Sequence, residues 1–153
     1  MKQMYKQRSL LFRITALALI LVVLSPVCFA EVQPRESSYI SSYNAYPYSA
    51  GLGKVQFYFE IVGMEYLDEI GALSVMIYES TDGVSWEWKK TYEYDTTSGM
   101  LGSNAIYHSG HVDYYGVIGR YYKAYVTLWG GKDGGGDTRY MWTNYAEATL
   151  FAQ

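Results

Sequence analysis

A predicted β-hairpin between Ala72 and Tyr94 is the feature that most constrains how this chain can fold. Apolar residues alternate with polar ones on both sides of an Asp82-Gly83 pair, a pattern typical of two antiparallel strands joined by a tight turn. With a two-residue turn, Ile77 faces Trp88 and the apolar side chains of both strands share one face. We also expect the Asp82 side chain to bond its own backbone, as aspartates in turns commonly do. Such a hairpin predicts an antiparallel sheet.

The same alternation recurs before and after the hairpin. Strands are predicted at 39–48, 55–61, 73–78, 86–92, 106–115, 121–129 and 138–150. We expect an interruption at Ser109-Gly110, and the segment 64–70 is left open between irregular chain and one helical turn. About seven strands without a convincing helix favour an all-β fold, an antiparallel β-sandwich of the immunoglobulin-like Greek-key type.

The first thirty residues have the layout of a cleaved secretory signal peptide. A positively charged start is followed by an uncharged run from Ile14 to Leu24, which is shorter than the roughly 20 residues that a membrane span needs. Cys28 and Ala30 then provide the small residues expected before a cut at Glu31. We therefore predict a signal peptide at 1–30, a flexible leader at 31–38 and a single domain at 39–153. The protein is expected to be secreted and extracellular.

The charge of the predicted mature chain argues against two classes of partner. The signal peptide holds four of the twelve Lys and Arg residues and none of the fifteen acidic ones, which leaves a net charge of −7. A negative domain is a poor partner for nucleic acid or for an anionic membrane surface. We expect neither nucleic-acid binding nor stable membrane insertion. Because Cys28 is the only cysteine, the mature chain is expected to fold without a disulfide.

Aromatic residues are the most unusual part of the composition. The predicted mature chain has 24 of them, including seventeen tyrosines, and they occupy both faces of several predicted strands, which cannot both be core. Pairing Trp129 with Thr138 across the Gly130–Asp137 segment would set Thr127 against Tyr140. The outward side chains of the last two strands would then be Tyr121, Tyr125, Trp129, Tyr140 and Trp142. Rings with an apolar face and a polar edge are common on recognition surfaces.

Two functions are compatible with these outward rings. The first is an extracellular binding module for glycans or another cell-surface ligand, in which Lys123 or Asn144 bonds sugar hydroxyls. The second is a structural protein that pairs its tyrosine-rich edge with itself or with another extracellular protein. In the alternative interpretation, a neighbouring strand covers these rings, and they contribute only to packing.

Metal or ion binding has little support in the sequence. His108, His111 and Asp113 reach one side only if Ser109-Gly110 forms a bulge, and three ligands are fewer than a structural zinc site uses. The Gly130–Asp137 segment offers two aspartates, whereas calcium takes six to eight oxygen ligands. We read this segment as a flexible hairpin loop and predict no cofactor and no metal, although ion binding by the loop stays open.

Catalysis is not predicted either. No nucleophile motif, cofactor loop or ligand cluster is found, and adjacent residues on a strand point to opposite sides, so Ser109 and its histidine neighbours form no triad. The remaining alternative is a glycoside hydrolase, which needs only two suitably separated carboxylates. Candidate acids are Glu60, Glu65, Glu79 and Glu87.

Two resemblances bear on fold and family. The run from Gly119 through Tyr122, Ala124 and Val126 looks like the penultimate strand of immunoglobulin and fibronectin type III domains, in which a tyrosine bonds back to the preceding corner. The mature chain also resembles a family of small secreted proteins of unknown function from Gram-positive bacteria, through the stretches 35–43, 70–72, 77–86 and 119–125. That resemblance implies secretion and no particular catalytic or binding residue.

Overall fold

The computed structural model describes residues 38–153, and these residues form seven antiparallel β-strands and no helix. The strands are β1 (Ile40–Gly51), β2 (Lys54–Ser80), β3 (Glu87–Glu93), β4 (Leu101–Tyr115), β5 (Tyr121–Lys132), β6 (Gly135–Trp142) and β7 (Ala146–Glu147). The all-β, antiparallel, seven-stranded prediction is therefore confirmed. The predicted signal peptide and the leader before Ser38 lie outside the described residues.

The long strand β2 organises the sheet, because it pairs with four other strands. Its first half, 54–63, pairs with β1 on one edge and with β4 on the other. Its second half, 69–80, pairs with β5 on one edge and with the start of β4 and then β3 on the other. The strand β6 pairs with the far side of β5, and β7 pairs with the start of β5.

An irregular stretch in the middle of β2 separates the two halves. The pairing with β4 shifts register between Val62 and Leu67, so several extra residues are accommodated there. Gly71 has a φ of +152°, and a Cβ at this position would overlap the carbonyl oxygen of Met100. Only glycine fits this backbone without strain. The sheet therefore curls, and its two halves enclose one core.

The core is filled mainly by alternate residues of β2 and β5. From β2 come Val55, Phe57, Phe59, Ile61, Leu67, Ile70, Ala72, Val75 and Ile77, and from β5 Tyr122, Ala124, Val126 and Leu128. The inward face predicted for β5 is confirmed. Period-two alternation on both strands explains why these residues share one interior.

Hydrogen bonds close the ends of the curled sheet. The N–H of Leu52, in the turn between β1 and β2, donates to the carbonyl of Leu150 over 2.9 Å, and the N–H of Gly119 donates to Ala148 over 2.8 Å. On the other side the Tyr92 hydroxyl donates to the carbonyl of Asp113 over 2.5 Å, which links β3 to β4. Ala148 and Leu150 thus hold the turn between β1 and β2 and the turn before β5 in place.

The predicted register of the central hairpin is wrong. Ile77 pairs with Lys90, and Trp88 lies opposite Tyr78 on the outward face. The loop spans residues 81–86 instead of two residues, and a bulge beside Tyr78 shifts the pairing further. The predicted backbone bonding of Asp82 is confirmed, because its carboxylate accepts the N–H groups of Val84 and Ser85, each over 2.8 Å. These bonds favour the wider loop.

Four other local predictions need correction. The strand β4 runs through Ser109-Gly110 without a break, and the segment 64–70 belongs to β2. Most of Gly130–Asp137 is strand, with a turn at Asp133 (φ +53°) and Gly134 (φ +78°), the conformation of a tight type I′ hairpin. The predicted last strand, 138–150, is divided into β6 and β7 by residues 143–145.

The finer prediction of an immunoglobulin-like Greek key is not confirmed. All seven strands belong to one sheet, with β2 shared by both halves. One local feature of the resemblance is present: the Tyr122 hydroxyl accepts the backbone N–H of Val117 in the preceding turn over 2.8 Å. This bond fixes the turn between β4 and β5.

Candidate ligand-binding surface

The outward face of β5 and β6 has the register predicted from sequence. Trp129 pairs with Thr138, Thr127 with Tyr140 and Tyr125 with Trp142. Paired residues in an antiparallel sheet place their side chains on the same face. The side chains of Tyr140 and Trp142 are 59% and 49% exposed. The rings of β6 are therefore largely exposed, whereas those of Tyr121, Tyr125 and Trp129 on β5 are partly exposed.

Trp142 lies at the centre of a set of ring contacts. Its ring centroid is 5.0 Å from that of Tyr125 and 5.1 Å from that of Tyr78 on β2. Tyr125 in turn stacks on Tyr140, at 6.1 Å with an interplanar angle of 9°. Aromatic pairs at these separations attract one another beyond the area they bury. Four rings from three adjacent strands thus form one continuous surface.

A lysine extends this surface toward the loop at 81–86. The Nζ atom of Lys123 lies 4.6 Å from the ring centroid of Trp142 and 4.2 Å from that of Trp86. Trp86 also contacts Tyr145, and Tyr145 meets Tyr121 edge-on at 5.5 Å. The ammonium group between two indoles is stabilised by cation–π attraction. The ring cluster, as we name it, comprises Tyr78, Trp86, Tyr121, Tyr125, Tyr140, Trp142 and Tyr145, with Lys123.

The turn before Trp86 fixes the position of its ring. The N–H groups of Ser85 and Val84 and the hydroxyl of Ser80 donate to the Asp82 carboxylate, and these bonds lower the pKa of Asp82 to about 2. The Ser80 hydroxyl also accepts the N–H of Gly83 over 2.8 Å. A loop bonded in this way presents Trp86 to Lys123 without help from regular pairing.

Trp129 lies apart from the ring contacts of the other predicted residues. A Cβ added at Gly131 or Gly136 would overlap its ring, so the ring lies flat over a strip of glycine backbone. It lines a small pocket of about 260 Å³, together with Glu69 and Lys132. The structure therefore brings Tyr121, Tyr125, Tyr140 and Trp142 into one cluster, and it places Trp129 at the opposite end of the same face.

Sequence reasoning missed Tyr78, Trp86 and Tyr145 as members of the ring cluster. Tyr78 lies on β2, and alternation within one strand does not show which strands are neighbours. A two-residue turn would place Trp86 on the inward face with Trp88. Tyr145 belongs to the break between β6 and β7, where strand periodicity gives no orientation. The available signal was the Asp82 turn, since its bonding to Ser85 requires a loop longer than two residues.

A charged pocket of about 270 Å³ adjoins the ring cluster at Trp86, and its lining includes Glu79 and Arg120. The buried Glu79 carboxylate accepts the Tyr122 hydroxyl and the Arg120 guanidinium, each over 2.5 Å, and Lys89 Nζ lies 3.3 Å away. Burial by itself raises the pKa of Glu79, but the hydrogen bonds from these three groups outweigh it and lower the pKa. The same burial, together with the bond to Glu79, raises the pKa of Tyr122. Glu79 is therefore held ionised.

The histidines do not form the three-residue group considered from sequence. Because β4 is regular, His108 and His111 lie on opposite faces. The Nε2 atom of His108 lies 3.0 Å from the carbonyl of Gly99, whereas His111 lies 3.7 Å from Asp113 on the outward side. Among residues 38–153, no group of three His, Cys, Asp or Glu side chains could hold a metal ion.

The two aspartates of the glycine-rich hairpin contribute to local structure. The Asp137 carboxylate accepts the N–H groups of Ser38 and Tyr39, and the N–H of Asp133 donates to the Asp68 carboxylate over 2.8 Å. These bonds tie the hairpin to the beginning of the domain and to β2.

Comparison with protein-family models, with curated proteins and with solved structures gives no match for this chain. In the part of the chain that the structure describes, no helix has the length and apolar character needed to cross a membrane. Functional inference therefore rests on the all-β fold and on the chemistry of its surfaces.

Proposed function

We propose that this protein is a secreted, non-catalytic binding module that recognises glycans on a cell surface through the ring cluster. The observation that carries the proposal is the continuous outward row of Tyr140, Tyr125, Trp142 and Tyr78. Two exposed rings, Tyr140 and Trp142, and two partly exposed ones contact one another across three strands and form an apolar platform. Such a platform offers sugar rings the stacking surface that their C–H faces require.

Polar groups beside the platform supply the hydrogen bonds that a sugar needs. Lys123 Nζ lies between Trp86 and Trp142, and the exposed Asn144 follows β6 directly. An ammonium group donates hydrogen bonds, and a side-chain amide both donates and accepts them. Stacking with a few fixed polar contacts is the usual composition of a small-ligand site.

The electrostatics of the neighbouring pocket support a non-catalytic role. A glycosidase needs one carboxylic acid with a raised pKa as proton donor. Glu79 is the best buried candidate, and the bonds from Tyr122, Arg120 and Lys89 lower its pKa. Glu87 lies opposite Glu79 in the sheet and is bonded by the same Lys89 over 2.7 Å. One lysine therefore neutralises both carboxylates, which favours binding over hydrolysis.

Replacing Trp142 tests this proposal. The purified protein is assayed on insoluble cellulose, chitin and peptidoglycan, and on a glycan array. We expect Trp142→Ala to weaken binding at least tenfold, equivalent to about 1.4 kcal/mol, because the central ring of the cluster is lost. Tyr66→Ala is the matched control, since Tyr66 is 68% exposed and has no contact with the ring cluster among the described ring pairs. Binding that survives Trp142→Ala would contradict the proposal.

Self-association is the alternative function, and the edge strand β6 favours it. Among the described strands, β6 pairs only with β5, so its other edge offers backbone groups to a further strand. Light scattering across a concentration series, run beside the glycan assays, distinguishes the two functions. Concentration-dependent assembly that Trp142→Ala abolishes, without glycan binding, would favour the alternative.

Secretion is part of the same proposal. The uncharged run Ile14 to Leu24 and the residues Cys28 and Ala30 support cleavage before Glu31. N-terminal sequencing of the protein recovered from culture medium should begin at or near Glu31. A protein that retains Met1 and stays inside the cell would exclude an extracellular ligand.

An immunoglobulin-like relationship is a further proposal about the architecture. The bond between Val117 and the Tyr122 hydroxyl supports it, since this contact is typical of tyrosine corners. Tyr122→Phe should speed hydrogen exchange at the Val117 amide, as the loss of a tyrosine corner would, and unchanged exchange would count against the relationship.

A further inference from the structure

A second outward surface is formed by β1, the first half of β2 and β4. Its side chains lie in three rows that cross the strands. The first row is Tyr48, Gln56 and Asp113; the middle row is Tyr46, Tyr58 and His111; and the third row is Asn44, Glu60 and Ser109. We name this surface the Tyr46 face. It lies on a different side of the molecule from the ring cluster, because the inward residues of both halves of the sheet pack into one core.

The middle row of the Tyr46 face is an aromatic platform. The rings of Tyr46 and Tyr58 stack at 5.5 Å with an interplanar angle of 13°, and the His111 ring lies 5.1 Å from Tyr58. Tyr46 is 45% exposed, and the His111 side chain is 46% exposed. Three rings in contact thus present a partly exposed aromatic surface on which a sugar ring can stack.

Polar groups in fixed positions flank this platform on one side. The Gln56 amide donates to the Asp113 carboxylate over 2.7 Å, and Lys54 Nζ donates to it over 3.3 Å. The Tyr58 hydroxyl donates to the Gln56 oxygen over 3.0 Å. Burial raises the pKa of Asp113, but the bonds from Gln56 and Lys54 outweigh it and lower the pKa. This side of the platform therefore carries an ionised acceptor that its neighbours hold in place.

The other side of the platform has a similar pair. The Asn44 amide donates to the Glu60 carboxylate over 3.2 Å. Carboxylates and amides that hold each other in place can bond adjacent hydroxyl groups of a sugar without losing much side-chain freedom.

The charges of the Tyr46 face disfavour an anionic ligand. Glu60 and Asp113 lie on opposite sides of the rings, and Lys54 is already paired with Asp113. An anionic ligand laid across the platform would approach both carboxylates, whereas a neutral ligand rich in hydroxyl groups would satisfy them. We propose that the Tyr46 face is a second binding site, which takes a neutral glycan with a sugar ring stacked on Tyr46 and Tyr58. Its ligand class is argued from its own residues, independently of the ring cluster.

Two sites on different sides of one domain have a consequence for assembly. A protein that holds one glycan chain on each side joins the two chains, and a second contact to the same polymer increases retention through effective concentration. Together with the glycan site proposed at the ring cluster, the Tyr46 face therefore makes the domain a cross-linker of glycan chains.

NMR titration tests the second site directly. The protein is titrated with cellohexaose, with the hexamer of N-acetylglucosamine and with hexagalacturonate as the acidic comparison, and the ring signals of both surfaces are followed. We expect saturable shifts at Tyr46, Tyr58 and His111 with at least one neutral hexamer at millimolar concentration, and weaker shifts with the acidic one. Equal or tighter binding of the acidic hexamer overturns the assignment of a neutral ligand.

Two variants on the same edge strand make the test specific. Tyr46→Ala should weaken binding at this face at least tenfold and leave the shifts at Trp142 unchanged. Tyr43→Ala is the matched control, because Tyr43 is similarly exposed on β1. Its side chain points to the other face of the strand, where Tyr43 pairs with Ile61. No shift at the Tyr46 face with either neutral hexamer, or shifts that Tyr46→Ala leaves intact, overturn the second site. Shifts confined to Trp142 support the ring cluster alone, and shifts confined to the Tyr46 face support only the second site.

Discussion

At the scale of single residues, the buried Glu79 carboxylate links β2 to Arg120 and Tyr122 at one end of the core. It follows the inward positions Val75 and Ile77 on β2, so strand periodicity alone places a charge among apolar side chains. The Tyr122 hydroxyl and the Arg120 guanidinium compensate for the lost hydration. Removing one partner of such a group leaves the others unsatisfied, which costs more than the bond itself contributes.

The lowered pKa of Glu79 predicts a pH-dependent effect of Glu79→Gln. A carboxyl whose folded pKa lies below its ordinary value of 4.5 stabilises the fold above that value, and the stabilisation is lost as the pH falls through the folded pKa. We expect the variant to be less stable than the parent by about 1.5–3 kcal/mol at neutral pH. The difference should shrink at about pH 3.

Urea unfolding of both proteins at the two pH values measures this difference. Asp82 and Asp113 also have lowered pKa values, but both proteins contain them, so their effects cancel in the comparison. A stability difference that is the same at both pH values would show that the charge of Glu79 is not what matters.

At the scale of secondary-structure elements, glycine positions decided what periodicity could not. The glycine-rich run after β5 predicts a flexible loop, yet its backbone pairs as strand up to Lys132 and again from Gly135. The missing side chains leave room for the Trp129 ring on the outward face and for Leu67 and Ile40 beside Gly130 on the inward face. Composition suggests flexibility here, whereas the neighbouring side chains require a strand without Cβ atoms.

Substitution of Gly136 tests this explanation. A methyl group at Gly136 would overlap the Trp129 ring, so we expect Gly136→Ala to destabilise the fold by about 1–3 kcal/mol, as overpacking does. Gly134→Asn is the control, because nothing lies within 4 Å of a Cβ there and asparagine tolerates the left-handed turn. Equal denaturant midpoints for the two variants would mean that Trp129 moves freely.

At the scale of the whole molecule, a single core shared by both halves of β2 predicts a cooperative fold. Val126 is buried in that core at 1% exposure, whereas its neighbour Thr127 lies on the outward face. We expect Val126→Asp to unfold the protein, since an unpaired buried charge costs several kcal/mol against a total stability of about 5–15 kcal/mol. Thr127→Asp should remain folded. Circular dichroism and thermal melting of the two variants test this, and a folded Val126→Asp protein would contradict the shared core.

The sequence by itself determined the strands and much of the candidate site. Alternation of apolar and polar residues placed Tyr122, Val126 and Leu128 inward, and it paired Tyr125 with Trp142 across the hairpin, because strand geometry fixes the face of each residue once a turn is located. The same reasoning gave four of the residues that now form the ring cluster.

Only the tertiary structure decided how the halves of the sheet meet and which rings join. The register of β2 and β3 depends on the bonds of Asp82 and on a bulge beside Tyr78, and Trp86 reaches Lys123 through that loop. The curl of β2 depends on Gly71 fitting against Met100, which lies far away in the chain. Alternation describes which way a side chain points within its own strand, whereas loops, bulges and contacts between distant segments depend on packing that no local pattern contains.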